Sequence, residues 1–168
     1  MLLLAVSAWA YRLLAAAPEP AAFPVLSVMI AVALSTYAQC LFCLDGEPGM
    51  MRYRLMPIRG WQILMSKDLA FMSVLSCLVL PLSPLTGIAA GLAALAIGRH
   101  QALAQPSAQS RWRLTSGVLF PIGFAQIVGM VVVASAVNGG SAYWFLGAII
   151  LYAASLWWYG REWDRGSY

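Results

Sequence analysis

Charge is what this chain has least of. Asp, Glu, Lys and Arg together make up 10% of its residues, against about 25% in soluble domains. With 62% hydrophobic residues, a soluble globular fold of this length is excluded, because a small fold leaves too much of its surface in contact with water. Residues 18–24, 81–87 and 138–141 contain no Lys or Arg. Histidine is limited to His100, and no Cys, Asp or Glu stands near it in sequence to complete a metal or catalytic set. Cysteine is limited to Cys40, Cys43 and Cys77. The first two form a CxxC, but without a second pair or a nearby histidine it is not a zinc motif; three residues apart on a helix, they read as small apolar fillers of one face. The phosphate-binding loop GxxxxGK followed by Ser or Thr is missing, which excludes ATP hydrolysis by that route. The net charge of +4 does not point to nucleic acid, because the basic residues sit at the ends of apolar runs, where they anchor to anionic headgroups.

What is present is a series of apolar runs at residues 2–17, 24–44, 63–81, 85–105, 117–137 and 142–159. They are continuous rather than alternating, which favours helices over barrel strands. Apart from Arg12, every Lys and Arg falls in residues 52–67, 99–113 or 161–165. These stretches lie on one side when the runs are threaded back and forth through a bilayer, which is the positive-inside pattern. The expected fold is therefore all-α: a single polytopic membrane domain over residues 1–168, with six transmembrane helices. Both termini are expected on the cytoplasmic side of the cytoplasmic (inner) membrane. Residues 2–17 are short for a span, which usually needs about 20 residues. If that run lies along the surface, five spans remain and the amino end moves outside. It lacks the basic start and clean cleavage site of a signal peptide, so a retained segment is expected. The abrupt beginning at Met1 also fits a shortened version, or one half, of a longer membrane protein. Trp144, Tyr143, Trp157, Trp158 and Tyr159 flank the last run as an aromatic belt. Gly87 and Gly91 form a GxxxG that suits helix packing, and Gly123 and Gly129 add small residues on the next run, for contacts within the chain or with a second subunit.

Residues 45–67 carry the most sequence information. Asp45-Gly46 and Pro48-Gly49 are turn dipeptides. Met50, Met51, Tyr53, Leu55 and Met56 then interleave with Arg52 and Arg54, and Pro57 ends any helix there. An apolar run from Ile58 leads back towards the bilayer. The pattern predicts a short interfacial helix followed by re-entry. Its adaptable Met and Tyr side chains beside Arg donors suit a docking element, the alternative being an ordinary solvated basic loop.

This region resembles the permease subunits of ATP-binding-cassette transporters of the type-2 exporter class. The similarity rests on Gln39-Cys40-Leu41-Phe42-Cys43-Leu44-Asp45-Gly46-Glu47-Pro48-Gly49, then Leu55-Met56-Pro57, then Ile63-Leu64-Met65-Ser66-Lys67-Asp68-Leu69-Ala70. It covers roughly residues 34–70. Cys43 and Ser66 stand where that pattern has Gly, Cys40 where it often has Asn, and Asp68 where it has Asn. The resemblance implies six spans and a coupling helix between the second and third. Met50, Met51, Arg52, Tyr53, Arg54, Leu55, Met56 and Pro57 would then dock a separate cytoplasmic ATPase. It further implies export of a substrate, expected to be amphipathic, in partnership with a second copy or a sister permease. Neither cofactor nor catalysis is expected in this chain, since hydrolysis would fall to the partner. Ionisable groups within the six runs read as nearly missing, which argues against an ion-driven carrier. A non-transport membrane scaffold or assembly factor is the alternative. A lipid-modifying enzyme is a weaker third reading, because His100 alone does not supply clustered catalytic groups.

Overall fold

The computed structural model describes residues 2–39, 52, 53, 55, 57–104, 120–140 and 142–165. Six long helices make up the described part: α1 (Leu2–Leu14), α2 (Ala22–Gln39), α3 (Gly60–Val79), α4 (Pro84–Ala104), α5 (Phe120–Asn138) and α6 (Ala142–Asp164). No strand occurs among the described residues. The helices run alternately up and down. At one end, the Arg12 guanidinium near the end of α1 donates to the Leu82 carbonyl in the α3–α4 turn at 3.0 Å. There too, the Ser83 N–H donates to Ser27 Oγ on the first turns of α2 at 3.0 Å. At the other end, the Gly60 N–H at the start of α3 donates to the Asp164 carboxylate at the end of α6 at 2.7 Å.

The middle of the bundle is α4, which packs against α2, α3, α5 and α6. A helix that is apolar all round belongs in the interior. In α4 the side chains are also small: Ala89, Ala90, Ala93 and Ala94 are fully buried. Gly87 and Gly91 bring α4 close to α3. A Cβ at Gly87 would lie 2.8 Å from Val79, and one at Gly91 would run into Leu75. Both glycines therefore serve contacts inside this chain. Lipid tails are as apolar as Leu, so close packing rather than expulsion of water holds such helices together. The core is completed by Ile30 and Leu34 of α2, Phe71 and Leu75 of α3, and Met130 and Ala134 of α5.

Outer faces are apolar. Leu3, Leu14, Leu69, Phe124, Ile150, Tyr143 and Trp158 are all exposed. Helices α3, α5 (from Pro121) and α6 are long and apolar enough to cross a membrane, whereas the apolar stretches Leu2–Leu14, Ala22–Ala38 and Pro84–Arg99 are shorter. The 13 residues of α1 extend only ~20 Å, less than the ~30 Å hydrocarbon core.

Helix α1 ends at Leu14 rather than 17 and α2 starts at Ala22 rather than 24, and two boundaries at the other end of the bundle differ from the hydropathy reading as well. Helix α3 starts at Gly60 rather than 63, and α6 continues to Asp164 rather than stopping at 159. The cause is shared. Trp163 is buried against Ile63 and Leu64, and Asp164 caps the start of α3. Polar residues that read as solvated loop are thus held in helix by tertiary contact. The short helical stretch expected before Pro57 falls partly among the described residues: Arg52, Tyr53 and Leu55 are helical, and Pro57 lies in a bend.

Candidate functional site

The end of the bundle where α3 begins and α6 finishes is built around two glycines. A Cβ on Gly60 would lie 2.7 Å from the Trp163 side chain and 2.8 Å from the Gly160 carbonyl oxygen. A Cβ on Gly160 would lie 2.8 Å from Trp61 Cβ and 3.0 Å from its backbone nitrogen. Each helix therefore lets the other approach to backbone contact. The Gln62 side-chain oxygen accepts the Arg59 N–H at 3.0 Å, and Asp164 accepts that of Gly60, so two N–H groups that a helix start leaves without partners are satisfied. A carboxylate there also complements the helix dipole.

Of the docking residues selected from the sequence, Tyr53 sits on this junction. Tyr53 is half-buried and packs on the Ile63, Leu64 and Trp163 cluster. The Lys67 ammonium lies 5.6 Å from the centre of the Tyr53 ring, within cation–π range. Arg52 and Pro57 are exposed, and Leu55 is 85% exposed. Tyr53 therefore anchors the segment while Arg52 and Leu55 face away from the bundle. Met50, Met51, Arg54 and Met56 lie outside the described residues.

About 12 Å further along α3 by helical rise is a polar network that the sequence reading missed. Asp68 and Arg99 are 1% and 0% exposed and form a salt bridge between α3 and α4. The Tyr152 hydroxyl on α6 donates to Asp68 Oδ2 at 2.9 Å. Arg99 donates through Nη1 to Ser155 Oγ at 3.2 Å, and the Ser155 hydroxyl donates to the Ala96 carbonyl at 3.1 Å. The Arg99 guanidinium also lies over the Tyr152 ring, 5.1 Å from its centre. Among the described residues, neither Asp68 Oδ1 nor Arg99 Nε has a hydrogen-bond partner. The expectation that ionisable groups are nearly missing from the spans is thereby corrected: Arg99, within the basic stretch at the cytoplasmic end of the fourth run, is buried and paired. Desolvating both ions is the penalty, and mutual attraction with added hydrogen bonds offsets it. The pair ties three helices together.

Other polar residues also bond across helices. Gln126 on α5 is buried, and its amide donates to the Ala94 carbonyl at 2.9 Å and the Ser35 carbonyl at 3.3 Å, linking α5 to α4 and α2. Arg12 stacks 5.0 Å from the centre of the Phe23 ring besides holding Leu82. The Trp9 indole N–H donates to the Leu78 carbonyl at 2.9 Å. These contacts dock α1 onto the α3–α4 turn. His100 lies on α4, but its side chain is outside the described set, as are Cys40 and Cys43; Cys77 is a free, exposed thiol. Among the described residues no group of three His, Cys, Asp or Glu could hold a metal ion. The chain matches no family model, no curated protein and no solved structure.

Proposed function

We propose that this chain is the membrane-spanning permease subunit of an ATP-driven exporter, with residues 50–57 docking a cytoplasmic ATPase. The observation that carries this reading is the anchored segment at the α3–α6 junction. Its half-buried Tyr53 fixes it to the bundle, while the exposed Leu55 and Arg52 offer an apolar contact and a bidentate donor to a soluble partner. The up-and-down order of the helices agrees with the threading drawn from charge, in which this junction faces the cytoplasm. All six helices then cross the inner membrane, α1 with a short hydrophobic length. The buried Asp68–Arg99 pair is charge-compensated and clamps helices, so it does not call for an ion-driven cycle. Two such bundles, identical or sister, would enclose the pathway, and closure of the paired ATPases would move the junctions and switch access. The cargo fitting such apolar walls is amphipathic.

The test is co-purification of the detergent-solubilised full chain with an ATPase encoded beside it. The double change Arg52→Glu and Leu55→Glu is expected to abolish the association while leaving the chain monodisperse. Undiminished association in that variant removes the docking assignment. Recovery of a neighbouring enzyme complex instead of an ATPase would favour a scaffold.

A further inference from the structure

A groove of about 520 Å³ runs between the start of α3 and the outer side of α6. Its rim carries Arg59 and Arg161 beside Trp61 and Trp157, and its floor continues along Leu156 to Tyr152. The Arg161 guanidinium stacks on the Trp157 ring, 4.0 Å from its centre, which holds it at the rim. Among the described residues no carboxylate pairs with Arg59 or Arg161. Asp164 also lines the groove, its carboxylate engaged through Oδ1 with the Gly60 N–H. The rim therefore offers two guanidinium groups to an anion, and the floor offers apolar surface.

We propose that this groove is a binding site for an anionic phospholipid, with the headgroup phosphate at Arg59 and Arg161 and an acyl chain along Leu156 and Tyr152. Geometry favours a lipid over an acidic soluble protein. Arg161 and Tyr152 are nine positions apart on one helix, ~14 Å by helical rise, which is close to half of a ~30 Å hydrocarbon core. A partner approaching from water reaches the rim but not the floor, whereas a phospholipid of one leaflet fills both. Two tryptophans at the rim suit the headgroup level, and guanidinium groups suit phosphate oxygens in a bidentate manner. The site depends on the bundle lying in a membrane but not on transport, so loss of ATPase association leaves it intact.

The experiment reconstitutes the full chain in phosphatidylcholine vesicles containing either brominated phosphatidylglycerol or brominated phosphatidylcholine. Tryptophan quenching then gives the relative association of the two lipids. A preference for phosphatidylglycerol of at least about fivefold is expected, the effect of a basic residue near an anionic headgroup. Added sodium chloride should shrink the preference. It should fall to near unity in Arg59→Gln/Arg161→Gln and persist in Arg59→Lys/Arg161→Lys, which keeps the charge and reports on folding. Equal quenching of the wild-type chain by the two lipids overturns the proposal, as does a preference insensitive to salt. Loss of the preference on adding inorganic phosphate would assign the arginines to a free anion instead. Equal quenching combined with salt-sensitive retention of an acidic soluble protein would assign them to a protein.

Discussion

A buried aspartate opposite a buried arginine is the residue-scale feature with the sharpest energetic consequence. Removing one member leaves the other charge buried and uncompensated, which typically costs about 3–5 kcal/mol. We expect Arg99→Met to destabilise the detergent-solubilised bundle by about 3–5 kcal/mol and Asp68→Leu by a similar amount. The double variant should recover most of that loss. A thermodynamic cycle from reversible unfolding checks this, and additive losses would show that the two residues do not act as a pair. Tyr152→Phe should cost roughly 2 kcal/mol, the usual value for a hydrogen bond to a charged group, and should lose that effect once Asp68 is leucine. None of this network could be read from the chain. Arg99 lies near the cytoplasmic end of an apolar run and Asp68 follows Lys67, so each resembled an interfacial residue, and their partnership spans 31 positions that local pattern does not connect. The glycines were easier. The four-residue spacing of Gly87 and Gly91 indicated a helix contact, though only the structure shows that the contact is with α3.

At the scale of elements, the closeness of α3 and α6 rests on positions without side chains. Gly160→Ala puts a methyl group within 3.1 Å of Trp61 backbone atoms, which cannot rotate away as a side chain can. We expect a loss of about 1–3 kcal/mol, as for other overpacked sites, together with weaker protection of the Gly60 amide in hydrogen exchange. Gly147→Ala on the same helix meets nothing within 4 Å and should be neutral or stabilising by up to ~1 kcal/mol, since alanine favours helix. Equal effects of the two changes would dismiss the tight junction. Helix existence and order were visible in the apolar runs, and the turns at Pro81–Pro84 and Asn138–Gly140 in their turn residues. The extension of α6 to Asp164 was not, because Arg161, Glu162 and Asp164 look like solvent-facing residues until α3 is set beside them.

For the whole molecule, the proposed threading makes an all-or-none prediction about sidedness. With Cys40, Cys43 and Cys77 replaced by alanine, a cysteine at Gly139 in the α5–α6 turn should react with a membrane-impermeant thiol reagent in intact cells. Cysteines at Arg52 or Arg165 should react only after the membrane is opened. The reverse pattern inverts the orientation and removes the cytoplasmic docking proposal with it. The capping of α3 by Asp164 joins positions 104 residues apart, and this has a bearing on biogenesis. A nascent chain that has emerged only as far as α4 already carries the segment around Tyr53, but the tryptophan that buries it and the carboxylate that closes α3 are still unmade. The surface around Tyr53 takes its shape when the last helix arrives, so under the proposed docking role an unfinished or carboxy-terminally clipped chain would go unrecognised by its ATPase.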